Sequence, residues 1–202
     1  MGNVILGLLL LGPQTLYSLN KQFEQGISLF YRASYGSLQS ALKSLLAKGH
    51  VTFVEGIEGG RNKKTYSITD AGRAAFFEWM GAPVASGDLE VLALSKLFFL
   101  GLLDDRAERA RVLDDLVSAI DRERASLEGF GEHLDAVDVP DEFARVFHYQ
   151  RRTLDYGIMS HRAALDWFVR LAEEERARAD DAGQAKPNTG GKRNTRIAAQ
   201  PR

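Results

Sequence analysis

At Gly49 the apolar residues of this chain change their spacing. Before it, Ala41, Leu42, Leu45 and Leu46 recur at helical intervals. After it, His50-Val51-Thr52-Phe53-Val54 and Lys64-Thr65-Tyr66-Ser67-Ile68 alternate in steps of two, as half-buried strands do. Between the strands, Glu55 to Lys63 holds Gly56, Gly59 and Gly60, followed by Arg61, Lys63 and Lys64. That composition describes a hairpin tip edged with cations.

Three short helices are expected ahead of the hairpin. Val4 to Leu11 is apolar almost all round and stops at Gly12-Pro13. It lacks the basic flank and cleavage site of a signal peptide and is too short to span a bilayer. Met1-Gly2 is followed by Leu6 where a myristoylation signal needs Ser or Thr. The segment is expected to be the first core helix of a cytoplasmic protein.

Thr15 is placed to cap a second helix, with Leu16, Leu19 and Phe23 facing inward, and Gly26 to Phe30 is expected to be a loop. Ser34 is placed to cap the third helix, which closes on Lys48-Gly49. Its polar face carries Tyr35, Ser37, Gln39, Ser40 and Lys43. Short hydroxyl and amide side chains of this kind bond phosphates and base edges at close range. Thr69-Asp70 then starts a fourth helix running to about Met80.

The expected fold is mainly α: an N-terminal winged helix-turn-helix of three helices, a two-stranded wing and a fourth helix, followed by long helices. In a winged helix the third helix enters the major groove and the wing touches phosphates. The expected DNA contacts are Tyr35, Ser37, Gln39, Ser40, Lys43, Arg61, Lys63 and Lys64. Charge agrees with this division. Residues 1–80 carry 8 Lys and Arg against 5 Asp and Glu, a balance of +3, whereas residues 81–182 carry 13 against 22, a balance of −9. Only the front of the chain is suited to a polyanion.

The motifs S-Y-G-S-L-x-x-A-L-K-x-L at Ser34–Leu45, G-H-V at Gly49–Val51 and K-x-Y-x-I-T-x-A-G at Lys64–Gly72 resemble the PadR family of bacterial transcriptional regulators. So do I-L-G-L-L at Ile5–Leu9 and Y-S-L-N-K at Tyr17–Lys21. The resemblance covers roughly residues 4–80 and implies double-stranded DNA as partner. Two departures, Thr15-Leu16 for His-Gly and Gln39-Ser40 for Tyr-Pro or Tyr-Arg, lie on or near the DNA face. They bear on the operator rather than on the fold.

Gly81 to Gly87 is expected to be a linker between a winged domain at 1–80 and a helical domain at 88–180. Leu89 to Leu103 is apolar apart from Glu90, Ser95 and Lys96, so it must be buried on most sides. The helix beginning at Asp104-Asp105 has Leu113, Leu116, Ile120, Leu127, Phe130 and Leu134 in a coiled-coil-like alternation. After a break at Val137 to Pro140, a helix from about Asp141 to Arg178 carries the stripe Phe147, Leu154, Ile158, His161, Leu165, Phe168 and Ala172. It would be roughly 55 Å long, too long for one small domain to cover. An antiparallel pair with apolar surface left for a second copy is expected.

The resemblance implies dimerisation through such helices, as in the virulence-activator-like type. The expected contacts are Leu92, Phe99, Leu113, Leu116, Ile120, Leu154, Ile158, Leu165 and Phe168. It also implies, for some family members, release of DNA by small aromatic compounds. Trp79, Tyr156, His161 and Trp167 are the side chains to inspect for such a pocket, and each also fits as buried core. The polar, basic stretch 181–202 is expected to be a disordered tail.

There is no cysteine, and His50, His133, His148 and His161 show no metal-ligand spacing. Gly56-x-x-Gly59-Gly60-Arg61 lacks the Lys-Ser/Thr and following helix of a phosphate loop. The carboxylates of the second half alternate with arginines as solvated helix pairs do. No nucleophile–base set is present, so neither a cofactor nor an enzyme is expected. The alternative to a repressor that binds a pseudo-palindromic operator is a winged-helix protein–protein interaction module.

Overall fold

A computed structural model describes residues 1–58, 61–84 and 88–182. The expected 181–202 tail falls outside them from residue 183 onward, as do Gly59 and Gly60 at the wing tip and residues 85–87 of the linker.

The architecture is mainly helical with a small antiparallel sheet. Helices α1 (Gly2–Leu10), α2 (Leu16–Gln25) and α3 (Tyr35–Ala47) precede the wing. Thr15 caps α2 by accepting the Ser18 amide on its hydroxyl. The expected loop at Gly26 to Phe30 contains a 3₁₀ turn, Ile27–Leu29, which buries Ile27. The core face of α3 is Leu38, Leu42 and Leu45, with Ala41 and Leu46 only half-buried. Leu38 completes a stripe of one residue per turn.

The wing strands are longer than the alternation of apolar residues suggested. They run over β2 (Val51–Glu58) and β3 (Arg61–Ile68), so most of the expected tip is paired strand. A two-residue strand ahead of α2, β1 (Gln14–Thr15), adds to the free edge of β3 opposite Tyr66 and Thr65. Helix α4 (Asp70–Gly81) is capped by Thr69, whose amide and hydroxyl also bond the carbonyls of His50 and Gly49. The joint is tight: a Cβ on Gly72 would lie 2.0 Å from the His50 carbonyl oxygen.

Helix α5 (Leu89–Phe98) ends earlier than expected, and the chain continues through a 3₁₀ turn at Leu100–Leu102. Helices α6 (Arg106–Asp135) and α7 (Ala144–Ala182) form the antiparallel pair. Leu113, Leu116 and Ile120 on α6 and Phe168 and Ala172 on α7 are buried between them and their neighbours. Towards the far end Phe130, placed on the seam by its spacing, is 53% exposed, while its neighbour Gly131 is buried against Arg151 and Leu154 of α7. Arginine–carboxylate pairs link the two helices along their length: Arg109 to Glu175 (2.7 Å), Arg176 to Asp114, Arg162 to Glu128 (2.7 Å) and Arg151 to Asp135 (2.9 Å).

The buried apolar residues form one cluster that extends from α1 to α7. Phe99, just after α5, packs edge-on against Phe76 of α4 at 5.7 Å between ring centroids. No helix among the described residues is long and apolar enough to cross a membrane.

Candidate nucleic-acid interface and helical groove

The third helix owes its start to a reciprocal cap. The Ser34 hydroxyl accepts the Ser37 amide, and the Ser37 hydroxyl accepts the Ser34 amide while donating to the Ser34 carbonyl. Ser37, expected on the DNA face, is therefore engaged in holding the first turn of its own helix. At the other end Gly49 has φ +69°, the left-handed conformation that lets the amides of Gly49 and His50 turn back to Leu46 and Leu45.

Tyr35, Gln39, Ser40 and Lys43 stand exposed on α3, joined by Gly36, Ser44, Ala47 and Lys48. The exposed face has no carboxylate. Its two ammonium groups and its hydroxyl and amide groups suit a phosphate-lined groove. Ser44 lies one turn beyond Ser40, and Lys48, the residue that closes α3, one turn beyond Ser44.

The wing cations do not act as one set. Residues facing each other across the ladder share a side, so Lys64 lies with Glu55 and Phe53, while Lys63 lies on the other side with Val54 and Thr65. The Lys64 ammonium pairs with Glu55 at 3.2 Å and sits 4.3 Å above the Phe53 ring. Arg61 has a described backbone in β3, but its side chain lies outside the described part.

Three of the four side chains singled out for an effector pocket converge. Tyr156, His161 and Trp167 line a cavity of about 460 Å³ between α5, α6 and α7, with Leu89, Ala93 and Leu94. The Gly157 carbonyl accepts a 2.8 Å bond from Nδ1 of His161. A carbonyl can only accept, so Nδ1 carries the proton. Glu90 is the one carboxylate on the lining. Trp79 is elsewhere, against Phe76 and the Lys96 ammonium.

The expected dimer contacts divide. Phe99, Leu113, Leu116, Ile120 and Phe168 are covered by this chain's own helices, because α5, α6 and α7 pack their apolar stripes on one another. Leu92, Leu154, Ile158 and Leu165 are half-buried. What stays uncovered is another face of α7, bearing Val146, Tyr149, Tyr156, Met159 and Trp167. That face went unnoticed in the sequence because it runs beside the longer inward stripe.

Residues 5–78 match the profile of the transcriptional regulator PadR-like family. The match takes in little more than a third of the chain. The matched stretch runs from α1 through the wing into α4, and the matching family is one of transcriptional regulators. No curated protein matches the chain. Among solved structures, it is similar to Bacillus subtilis PadR in complex with operator DNA (23% identity, 86% of this chain and 98% of that one, TM-score 0.41). It is also similar to the same protein in complex with p-coumaric acid (22%, 87% and 94%, TM-score 0.37). A third similar structure is the Vibrio cholerae virulence activator AphA (26%, 90% and 98%, TM-score 0.38). Among the described residues no group of His, Cys, Asp and Glu is placed to hold a metal ion.

Proposed function

We propose that this PadR-like regulator binds double-stranded DNA as a homodimer and represses transcription from a pseudo-palindromic operator. The observation that carries the reading is the capped, carboxylate-free outer face of α3, with Gln39, Ser40 and Lys43 exposed together. Gln39 reads base edges, Lys43 and Tyr35 hold the backbone, and Lys63 and Arg61 approach phosphates from the wing. A second copy covers the apolar face of α7 and sets two α3 helices about one helical turn of DNA apart. A division into a DNA-binding unit at 1–80 and a helical unit at 88–180 follows from this assignment.

The groove beside Tyr156, His161 and Trp167 takes a small, largely apolar aromatic effector, whose binding releases DNA. Its aromatic walls and few polar groups support that choice. The test is a gel shift on the chain's own upstream region across a salt series. Lys43→Gln is expected to weaken binding to every duplex and to lower the salt slope by about one. Gln39→Ala is expected to relax sequence preference instead. Wild-type protein that binds no duplex at low salt would favour the protein–protein module, with the acidic helical half as its working surface.

A further inference from the structure

Lys96 is the most deeply buried cation among the described residues, 2% exposed in a helix that is otherwise nearly apolar. An ammonium in such a place costs several kcal/mol unless its hydrogens are satisfied. Here they are satisfied by another element's backbone. Nζ donates to the carbonyls of Met80 (3.1 Å) and Ala82 (2.5 Å), at the C-terminal end of α4. Carbonyls in a last turn lack intrahelical partners and carry the negative end of the helix dipole. The Trp79 ring lies 5.9 Å from the same ammonium; burial lowers the Lys96 pKa from its ordinary value, and the charge of Asp115 on α6 offsets only part of that.

The clamp joins α5, which belongs to the helical half, to the last helix of the PadR-like region. It is continued by Phe99, whose ring packs against Phe76 of α4 and fills the space beside Gly7 of α1. Helix α1 in turn packs on α3. The direction in which α3 points therefore depends on how α4 and α1 are seated on α5.

We propose that Lys96 is a positioning residue for DNA recognition: by holding the end of α4 on α5, it sets the separation of the two α3 helices in the dimer. This rests on the dimeric DNA-binding reading above. An ammonium bonded to two carbonyls of different residues fixes a direction as well as a distance, which an apolar contact in the same place does not do.

The test uses full-length protein. Wild-type protein selects a bound sequence from random duplex DNA, and its two half-sites are then rebuilt with the spacing changed one base pair at a time. Wild type should favour one spacing by about tenfold or more over its neighbours, as a rigid dimer does. Lys96→Met should bind isolated half-sites as wild type does but lose the spacing preference to below about threefold, and Lys96→Arg should restore it. A lysine that served stability alone would lower affinity equally at every spacing.

Lys96→Met that folds and keeps the wild-type spacing profile overturns the proposal. Should Lys96→Met fail to fold, Lys96→Gln, which keeps an amide donor, takes its place, and failure of both to fold overturns the positioning role. Wild type that binds duplex with no spacing preference also overturns it. Wild type that binds no duplex removes the DNA-binding reading itself, a result distinct from the others.

Discussion

A Cβ on Gly7 of α1 would lie 2.7 Å from Cε1 of Phe99, so glycine at the one position admits the aromatic ring at the other. Both lie in the buried core, and the contact joins the first helix to the segment after α5. Gly7→Ala should gain up to about 1 kcal/mol of helix propensity and lose about 1–3 kcal/mol to overpacking. Net destabilisation is expected in urea unfolding, and Phe99→Leu should offset part of it in the double variant. Additive losses would show that the two residues are not coupled.

Gly49 ends α3 in the left-handed conformation, with open space where a Cβ would go. Gly49→Ala should therefore cost about 1 kcal/mol from backbone strain alone. Gly49→Asn should cost less, because asparagine tolerates that conformation better. Thermal unfolding of the three proteins checks the order.

Glu55 faces Lys64 across the wing and holds its ammonium at 3.2 Å. An exposed pair of this kind contributes about 0–1 kcal/mol to folding. Glu55→Gln should leave stability nearly unchanged, tighten DNA binding and steepen its dependence on salt. A variant that binds as wild type does at every salt concentration would place Lys64 away from DNA.

The bond from Arg162 holds the Glu128 carboxyl below its ordinary 4.5, and that from Arg151 holds Asp135 below 3.8. Both arginines are on α7 and both carboxylates on α6, so each pair ties the two helices together. A carboxylate with a depressed pKa in the folded state contributes stability that is fully present above its ordinary pKa. That contribution is lost as pH falls through the folded value. Stability of the helix pair should decline below about pH 4.5, with a shallower decline in Glu128→Gln. Denaturant titrations between neutral and acid pH read the difference.

The helix-turn-helix order and the cap at Ser34 were legible because they depend on neighbours within four residues. A serine before a helix and a glycine after it meet needs of the backbone that no distant contact has to supply. The strand Gln14–Thr15 was not legible. Two residues have no period, and they become a strand only because the edge of β3 lies beside them. Phe130 shows the converse: its spacing matched the seam, but Gly131 takes the position against α7 and leaves Phe130 exposed.

Lys96 illustrates the boundary between the two kinds of information. Its presence in an apolar helix is visible in the sequence, but its partners are backbone carbonyls 14 and 16 residues away, which carry no side-chain signature. By itself the sequence determined the order of elements, the polar face of α3 and the PadR-like match of residues 5–78, because hydrophobic period, caps and motifs are local. Only the tertiary structure decided which apolar stripe of the long helices is already covered, where Tyr156, His161 and Trp167 meet, and what the buried lysine holds. Those outcomes depend on how surfaces far apart in the chain fit together, and close packing allows only one of the arrangements the pattern permits.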